Sequence, residues 1–330
     1  MKIIIAGATG LVGRTMIQVL EEKNIPCQII PLASKQSAGQ TIQFNGKDVV
    51  IQELCKETIK KANADYALFA LSASLSAEYA PYTSQYCTVI DNSSNFRQDP
   101  DIPLVVPEVN AIQTYADAPI IANPNCSTIQ SVVALAEIYR EFGLESVRYS
   151  TYQSVSGSGK QGVDDLNRGR LGEENQFYPE PIYNNVLPHI DDFTADGYTK
   201  EEHKMIQETR KILGDTRLKI SATCVRVPIE SSHGVDITFK TKKKTSVDDI
   251  ARVLEQAPSV IFYSEAAEYP TPLDSAGQDK VLVGRLRRDL AEDDRGFRMW
   301  VVADNIRKGA ATNTVEILEK LLEYKSTKGL

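Results

Sequence analysis

The first third of the chain alternates short apolar runs with stretches in which apolar residues recur at helical spacing. Residues 3–6 form a continuous apolar run that ends at a glycine, which is typical of a strand buried on both faces of a parallel sheet. In the stretch that follows, the apolar residues on one helical face are Val12, Met16, Val19 and Leu20. Further strands are predicted at residues 28–33, 66–71, 88–91 and 104–106. This alternation predicts a doubly wound α/β domain that binds ligands at the carboxyl ends of its strands.

The pattern changes around Asn123, where a helical stretch at residues 127–142 is followed by longer strand patterns. These strands are predicted at residues 146–155, 218–227, 235–240 and 299–304. Polar alternation along them favours a mixed or antiparallel sheet, and hence an α+β domain. Residues 172–198, rich in Pro, Asn and Asp, are predicted to be a long surface loop.

The C-terminal stretch bears on domain organisation. Residues 308–322 return to a helical pattern, which we expect to pack back on the first domain and so make that domain discontinuous. The predicted fold class is α/β plus α+β, with an N-terminal doubly wound, Rossmann-type parallel sheet and a second domain built on a mixed sheet. The predicted domains are residues 1–126 with 306–330, and residues 127–305.

Composition and charge narrow the class of protein. The 330 residues carry 37 Lys and Arg against 44 Asp and Glu, and the net charge of −7 leaves no global basic field for nucleic acid. No apolar run approaches the ~18 residues that a membrane-spanning helix needs. The cysteines are odd in number and widely spaced, at positions 27, 55, 87, 126 and 224. This spacing favours free thiols in the cytoplasm and argues against a metal site. From the charge and the lack of long apolar runs, we expect neither a nucleic-acid nor a membrane partner.

A glycine-rich turn, Gly7-Ala-Thr-Gly10-Leu-Val-Gly13, separates the first predicted strand from the first predicted helix. Glycine lets the backbone turn sharply and approach a pyrophosphate, whose charge the helix N-terminus stabilises. The G-x-x-G-x-x-G spacing in this context therefore predicts a dinucleotide site. The alternative is a tight strand-to-helix turn without a ligand.

The end of the second strand indicates which dinucleotide is bound. NAD sites usually place an Asp or Glu here to accept a hydrogen bond from the ribose 2′-hydroxyl. This chain has Ser34, Lys35 and Ser37 and no carboxylate, which suits a 2′-phosphate and so favours NADP. The alternative is a solvated turn.

Cys126 lies in Asn-Pro-Asn-Cys-Ser-Thr, immediately before a predicted helix. A helix N-terminus favours the thiolate, so this position suits a nucleophile, although a structural cysteine is the competing interpretation. A histidine base for the thiol must be one of three: His189 in the loop, His203 in a charged helix, or His233 just past an apolar strand.

These features are part of a wider resemblance. The segments GATGLVG, DNSSNFR, VVPEVN, ANPNCSTIQ, TYQSVSGSGKQG, TKEEHK, CVRVP followed by SSHG, and DNIRKGAATN occur in this order along nearly the whole chain. In these segments the sequence resembles the aspartate-semialdehyde dehydrogenases of the bacterial type. The resemblance implies that the second domain is catalytic and forms a homodimer.

The resemblance also implies roles for individual residues. Cys126 would be the acyl-thioester nucleophile, His233 the general acid and base, Gln153 the group that orients the intermediate, and Asn125 an aid to the oxyanion. The implied substrate-binding residues are Arg226 for the carboxylate, Glu201 for the amino group, and Arg97 with Lys204 for phosphate. The implied cofactor-binding residues are Gly7, Thr9, Gly10, Leu11, Val12, Ser34, Lys35, Ser37, Ser156, Gly157 and Asn305.

The implied reaction is NADPH-dependent conversion of aspartyl phosphate to L-aspartate 4-semialdehyde and phosphate, a step towards lysine, methionine and threonine. Two departures from the family pattern predict an NADP preference that is relaxed. Gln36 lies near a position at which members of the family often have an arginine. Leu71-Ser-Ala-Ser-Leu-Ser76 lies where they tend to have a glycine-rich turn. The alternatives are a related acyl-phosphate reductase of the N-acetyl-glutamyl-phosphate type, an inactive nucleotide-binding paralogue, and a cysteine hydrolase, which would leave the glycine turn unexplained.

Overall fold

The computed structural model of the chain describes residues 1–329. These residues divide into two compact units, one made of residues 1–125 with the chain from Ala310 onward, the other of residues 126–309. No helix within the described part is long and apolar enough to cross a membrane.

The first unit is built around a parallel sheet. Its strands are β1 (Lys2–Ala6), β2 (Gln28–Ala33), β3 (Thr41–Phe44), β4 (Lys47–Val50), β5 (Gln52–Glu53), β6 (Tyr66–Phe69), β7 (Thr88–Asp91) and β8 (Ile120–Ala122). Its first three helices are α1 (Leu11–Glu22), α2 (Lys56–Ala62) and α3 (Ala73–Thr83). The sheet has the order β5-β2-β1-β6-β7-β8 with every pair parallel, while β3 and β4 form a separate hairpin.

The strand predicted at residues 104–106 is wrong. Within this segment only Leu104 forms a bridge, to Ala122, and the sixth strand of the sheet is β8. Pro103 and Pro107 flank the segment, and because proline has no N–H to donate, a longer ladder is blocked on both sides.

The second unit begins with α4 (Cys126–Phe142). Its strands are β9 (Leu144–Gln153), β10 (Lys219–Arg226), β11 (His233–Thr241), β12 (Val260–Phe262), β13 (Val281–Arg288) and β14 (Gly296–Ala303). Its other helices are α5 (Lys160–Arg170), α6 (Lys200–Leu213), α7 (Val247–Gln256) and α8 (Pro272–Ser275). A π-helical turn, Arg307–Ala311, begins in this unit and ends in the first two residues of the chain's return to the first unit.

The sheet of the second unit has the order β10-β9-β11-β14-β13-β12. The outer pairs β10–β9 and β12–β13 are parallel and the inner pairs are antiparallel, which makes the sheet mixed, as predicted. Residues 171–199 contain no helix or strand, in agreement with the predicted loop.

The last helix, α9 (Thr312–Lys328), belongs to the first unit. Its buried residues Val315 and Leu318 share a hydrophobic core with Ile3 of β1 and Met16 of α1. At its surface Glu319 pairs with Lys23 at 2.6 Å. The C-terminal helix therefore covers the parallel sheet, although it follows the second unit in sequence.

Candidate active site

Three neighbouring strands of the second unit bring Arg226, Gln153 and His233 into one row. Arg226 of β10 lies opposite Gln153 of β9, which in turn lies opposite His233 of β11. Because residues directly opposite one another on a sheet project from the same face, the three side chains lie side by side. All three are buried.

Arg226 is only 4% exposed, yet the part of the chain that the structure describes offers its guanidinium no ion pair. Nη1 donates a 2.6 Å hydrogen bond to the carbonyl oxygen of Ser154, and Nε has no hydrogen-bond partner within residues 1–329. A buried cation of this kind is costly unless it meets an anion, so the site suits an anionic ligand such as a carboxylate.

His233 is fully buried at the start of β11. Its Nδ1 accepts the backbone N–H of Ser154 at 3.0 Å, while Nε2 has no hydrogen-bond partner among residues 1–329. Burial, followed by the positive charge of Arg226, lowers the pKa of His233 to about 3. The ring is therefore neutral at physiological pH.

Gly157 allows the backbone to pass close to both of these side chains. A β-carbon at this position would lie 2.9 Å from Nη1 of Arg226 and 3.3 Å from Nε2 of His233. Any larger residue would displace one of the two, so the glycine keeps the guanidinium and the imidazole on either side of one small volume.

Helix α6 adds two charged groups to the site. A capping box between Thr199 and Glu202 fixes the start of the helix. In its first turn, Glu201 accepts from Nε2 of Gln153 at 3.1 Å and pairs with Lys204, one turn later, at 3.1 Å. Lys204 also pairs with Asp191 at 2.7 Å. The row on the sheet is thus extended by a buried carboxylate held in a fixed orientation.

Cys126 is the first residue of α4, as the sequence predicts for a nucleophile at a helix N-terminus. One turn along, Gln130 donates from Nε2 to the backbone oxygens of His233 (3.1 Å) and Val301 (3.3 Å). Since residues four apart share a helix face, these bonds fix the cysteine end of α4 against the start of β11.

The π-helical turn lies directly against Cys126, a contact that sequence reasoning missed. A β-carbon on Gly309 would lie 2.8 Å from the β-carbon of Cys126. Asp304 shapes the turn, because its side chain accepts the N–H groups of Ile306 and Arg307, both at 2.9 Å. The available signal was a glycine inside the helical pattern of DNIRKGAATN, since a glycine in such a pattern can have a packing reason.

Asn305 is predicted to contact the cofactor, but in this structure its side chain forms hydrogen bonds with other residues of the second unit. Its Oδ1 accepts the Ser232 N–H at 2.9 Å and the hydroxyls of Ser154 and Ser156, both at 3.2 Å. It therefore ties the turn after β9, which contains Ser156, to the residue that precedes His233.

The predicted dinucleotide turn lies in the first unit. Gly7 has a φ of +85°, and a β-carbon on it would lie 2.3 Å from the carbonyl oxygen of Ala70. A β-carbon on Gly13 would lie 2.2 Å from the carbonyl oxygen of Gly7. Only glycine fits at both places, and the turn leads into α1 with Thr9, Gly10, Leu11 and Val12 at the helix N-terminus. This cradle fits a pyrophosphate.

The loop after β2 presents the groups predicted to hold a 2′-phosphate. Ser34 and Lys35 are exposed and Ser37 is half-buried, within a turn closed by the Ser37 N–H on the Ser34 carbonyl oxygen at 2.9 Å. After β6, Ser72 caps α3 and its hydroxyl lies 3.1 Å from that of Ser74. Two hydroxyls therefore stand at the carboxyl end of β6.

Two further predicted residues lie near the carboxyl ends of β7 and β8. The buried Arg97 donates to the backbone oxygens of Asn123 at 3.0 Å and Asn92 at 2.8 Å. Asn125 is buried and directly precedes Cys126. The phosphate-binding role of Arg97 and the oxyanion role of Asn125 stay predictions.

Comparison with known families agrees with this arrangement. A model described as semialdehyde dehydrogenase, NAD binding domain, matches residues 2–116, and one described as semialdehyde dehydrogenase, dimerisation domain, matches residues 135–308. Fold, site and family models together define the class of protein, a nucleotide-linked semialdehyde dehydrogenase. The dimerisation domain agrees with the predicted homodimer.

Individual relatives narrow the class. The chain is 48% identical to aspartate-semialdehyde dehydrogenase of Aquifex aeolicus, with 98% of each sequence covered, and 41% identical to that of Bacillus subtilis, with 97% and 96% covered. Among solved structures, aspartate semialdehyde dehydrogenase II of Vibrio cholerae complexed with ASA matches with a TM-score of 0.92 and 43% identity over 98% of both chains. The chain belongs to the aspartate-semialdehyde dehydrogenase family. The predicted family, oxidoreductase class and fold class are confirmed.

Proposed function

We propose that the chain catalyses the reversible, NADPH-dependent reductive dephosphorylation of L-4-aspartyl phosphate to L-aspartate 4-semialdehyde, in lysine, methionine and threonine biosynthesis. The observation that carries this proposal is the buried row of Arg226, Gln153 and His233 in the same unit as Cys126 at the start of α4. A guanidinium for a carboxylate, an amide, an imidazole and a thiol are the groups that this reaction uses.

Substrate recognition follows from the charges of the row. Arg226 binds the substrate α-carboxylate with two N–H donors, a geometry that lysine does not offer. Glu201 binds the substrate ammonium group, with its carboxylate oriented by Gln153 and Lys204. Arg97 and Lys204 bind the phosphate, for which Lys204 exchanges part of its pairing with Asp191.

The chemistry takes place on Cys126. Its thiolate attacks the acyl carbon, the carbonyl electrons move onto oxygen, and their return expels phosphate to leave a thioester. Asn125 stabilises the oxyanion, and His233 supplies the proton and later recovers it. When bound, the nicotinamide supplies the hydride that reduces the thioester. Collapse of the resulting thiohemiacetal anion releases the aldehyde and restores the Cys126 thiolate.

The dinucleotide binds to the first unit, at the turn from Gly7 to Val12. Ser34, Lys35 and Ser37 hold the 2′-phosphate of NADP, and the absence of an acidic residue from residues 34–40 supports this preference over NAD. A relative from Candida albicans, aspartate semialdehyde dehydrogenase with NADP, has a TM-score of 0.78 and 26% identity over 98% of this chain. Gln36 and the Ser72 cap support a relaxed preference.

The experiment is an omission assay. NADPH formation is measured from L-aspartate 4-semialdehyde, NADP and phosphate, leaving out each component in turn. The proposal predicts activity only with all three, and NAD replaces NADP in a parallel series. Turnover with N-acetyl-glutamate semialdehyde in place of the aspartate compound would contradict the substrate, and no turnover by reduced, folded protein would favour the inactive paralogue.

A further inference from the structure

The ammonium group of Lys204 lies between two carboxylates. Its Nζ donates to Asp191 at 2.7 Å and to Glu201 at 3.1 Å. A lysine has three N–H donors, so these two bonds leave one for any other ligand. Burial alone would lower the pKa of Lys204, but the two carboxylates raise it overall, and the ammonium is charged at neutral pH. A single cation therefore stands between two anions, which is a poor setting for a third anion such as phosphate.

The two carboxylates differ in their other contacts. Glu201 is buried on α6 and accepts from Gln153, and the proposed function uses it for the substrate ammonium group. Asp191 lies in the long loop before α6, and its side chain is 32% exposed. Burial alone would raise the pKa of Asp191, but the bond from Lys204 and further contacts lower it overall, so this carboxylate is ionised at neutral pH. The substrate contacts proposed above do not explain why Asp191 pairs with Lys204.

The backbone around Asp191 fixes the position of its carboxylate. The residue has a φ of +69°, in the left-handed region that residues other than glycine rarely adopt, and its Oδ1 accepts the N–H of Asp192 at 2.9 Å. Four residues earlier, Leu187 and Arg226 exchange two backbone hydrogen bonds at 2.9 and 2.8 Å. One residue later, the carbonyl oxygen of Asp192 accepts the N–H of Lys200 at 2.9 Å. The loop is thus tied to β10 on one side of Asp191 and to α6 on the other.

A carboxylate held in this way competes with phosphate. Both are anions that accept hydrogen bonds from an ammonium group. Because Asp191 is part of the chain and fixed beside Lys204, it is present there at a high effective concentration whatever the concentration of phosphate. Phosphate that binds to Lys204 must either displace this carboxylate or share the ammonium with it.

We propose that Asp191 sets the affinity for phosphate by acting as an internal anion that competes for Lys204. The inference rests on the proposed function, in which Lys204 binds phosphate. Asp191 is a positioning residue that acts through Lys204, and no bond to it forms or breaks in the reaction. Its presence weakens the binding of phosphate and speeds the departure of phosphate after the thioester has formed.

The first test is the KM for phosphate of Asp191→Asn, measured as NADPH formation from L-aspartate 4-semialdehyde. Asparagine tolerates a left-handed backbone and keeps an oxygen for the N–H of Asp192, so the substitution removes mainly the charge. We expect the KM for phosphate to fall about 5-fold, the effect of a partly exposed ion pair, while the KM for NADP stays constant. A KM for phosphate that is unchanged or higher would overturn the proposal.

Asp192→Asn is the matched control. This neighbouring aspartate pairs with Lys200 of the same helix, also at 2.7 Å, and its side chain is 76% exposed. The control should have the KM for phosphate of the wild type. An equal fall in both variants would show a general effect of net charge and would overturn the competition at Lys204.

The second test needs no turnover. Binding of inorganic phosphate to the protein without substrate or cofactor is followed by phosphorus NMR titration. We expect a Kd about 5-fold lower in Asp191→Asn than in the wild type, and no such gain when Lys204→Met is added to that variant. A Kd equal to that of the wild type, or a gain that persists without Lys204, would overturn the proposal. Failure of the wild-type protein in the omission assay would refute the proposed function instead, because this binding result does not depend on catalysis.

Discussion

Gly309 lies so close to Cys126 that a β-carbon on the glycine would be 2.8 Å from the β-carbon of the cysteine and 3.2 Å from its α-carbon. The close partner of Cys126 is thus backbone in a π-helical turn, a form of helix that is frequent at functional sites. An added methyl group must displace one of the two.

Gly309→Ala is therefore expected to lower kcat by about 10²-fold, the cost of a displacement of about 1 Å at a reacting group. The measurement is kcat together with the pH dependence of Cys126 alkylation, which reports the thiolate directly. Gly169→Ala, on α5, is the matched control, because a β-carbon there would lie 2.4 Å from the β-carbon of Tyr183 in the loop that follows. Equal losses in both variants would mean that Gly309 matters only for stability.

Arg226→Lys tests carboxylate recognition. The substitution keeps the charge but loses the planar pair of donors and the bond to Ser154. We expect kcat/KM for L-aspartate 4-semialdehyde to fall by about 10²-fold, equivalent to about 2.7 kcal/mol. The exposed Arg252→Lys, whose arginine pairs with Asp249 on α7, should behave as wild type. Kinetics of the Arg226 variant that match the control would show that this side chain does not bind the carboxylate.

Lys35→Ala tests cofactor choice. An exposed lysine that meets the 2′-phosphate contributes to NADP binding and not to NAD binding. We expect the Kd for NADP, measured by fluorescence titration, to rise about 10-fold while that for NAD stays constant. Lys47→Ala, on the hairpin strand β4 of the same unit, is the control. Parallel changes for both dinucleotides would argue against a contact between Lys35 and the phosphate.

Asp165→Asn tests how the long loop is held. The Asp165 carboxylate accepts the N–H groups of Gln176, Phe177 and Tyr178 at 2.8–2.9 Å. Burial alone would raise the pKa of Asp165, but these bonds and Arg168 lower it overall. Replacing this carboxylate with the amide of asparagine should lower the free energy of unfolding by about 1–3 kcal/mol at neutral pH.

The loss of stability in Asp165→Asn should depend on pH, because the pKa of Asp165 is lowered in the folded protein. A carboxyl with a lowered pKa stabilises the fold above its unfolded value of about 3.9 and loses that contribution as the pH falls towards its folded value. The difference between wild type and Asp165→Asn, measured by denaturant unfolding, should therefore shrink below about pH 4. A difference that is constant with pH would show that the charge contributes nothing.

The sequence predicted those features of the fold and the site that are determined by residues close together in the chain. The apolar runs of β1 and β2, the glycine turn and the cysteine at the start of α4 all depend on neighbours in sequence, and each was predicted. Residues 104–106 read as a strand because their own side chains are apolar, while the prolines that limit pairing lie outside the run.

The features that the sequence did not predict depend on contacts between segments far apart in the chain. The row of Arg226, Gln153 and His233 is created by strand register across β10, β9 and β11, which no local pattern contains. The bond from Ser154 to His233 and the contact of Gly309 with Cys126 likewise join segments far apart in sequence. The resemblance supplied Arg226, Gln153 and His233 as candidates, but not the groups that orient the histidine and the thiol.

The proposed reaction depends on a thioester on Cys126, which a rapid-mixing experiment without phosphate can detect. L-aspartate 4-semialdehyde and NADP are mixed with the reduced enzyme, and NADPH is followed by absorbance. We expect a burst that does not exceed the number of Cys126 thiols, an arrest as the acyl-enzyme accumulates, and resumed turnover when phosphate is added. Sustained NADPH formation without phosphate, or no burst before phosphate is added, would contradict it.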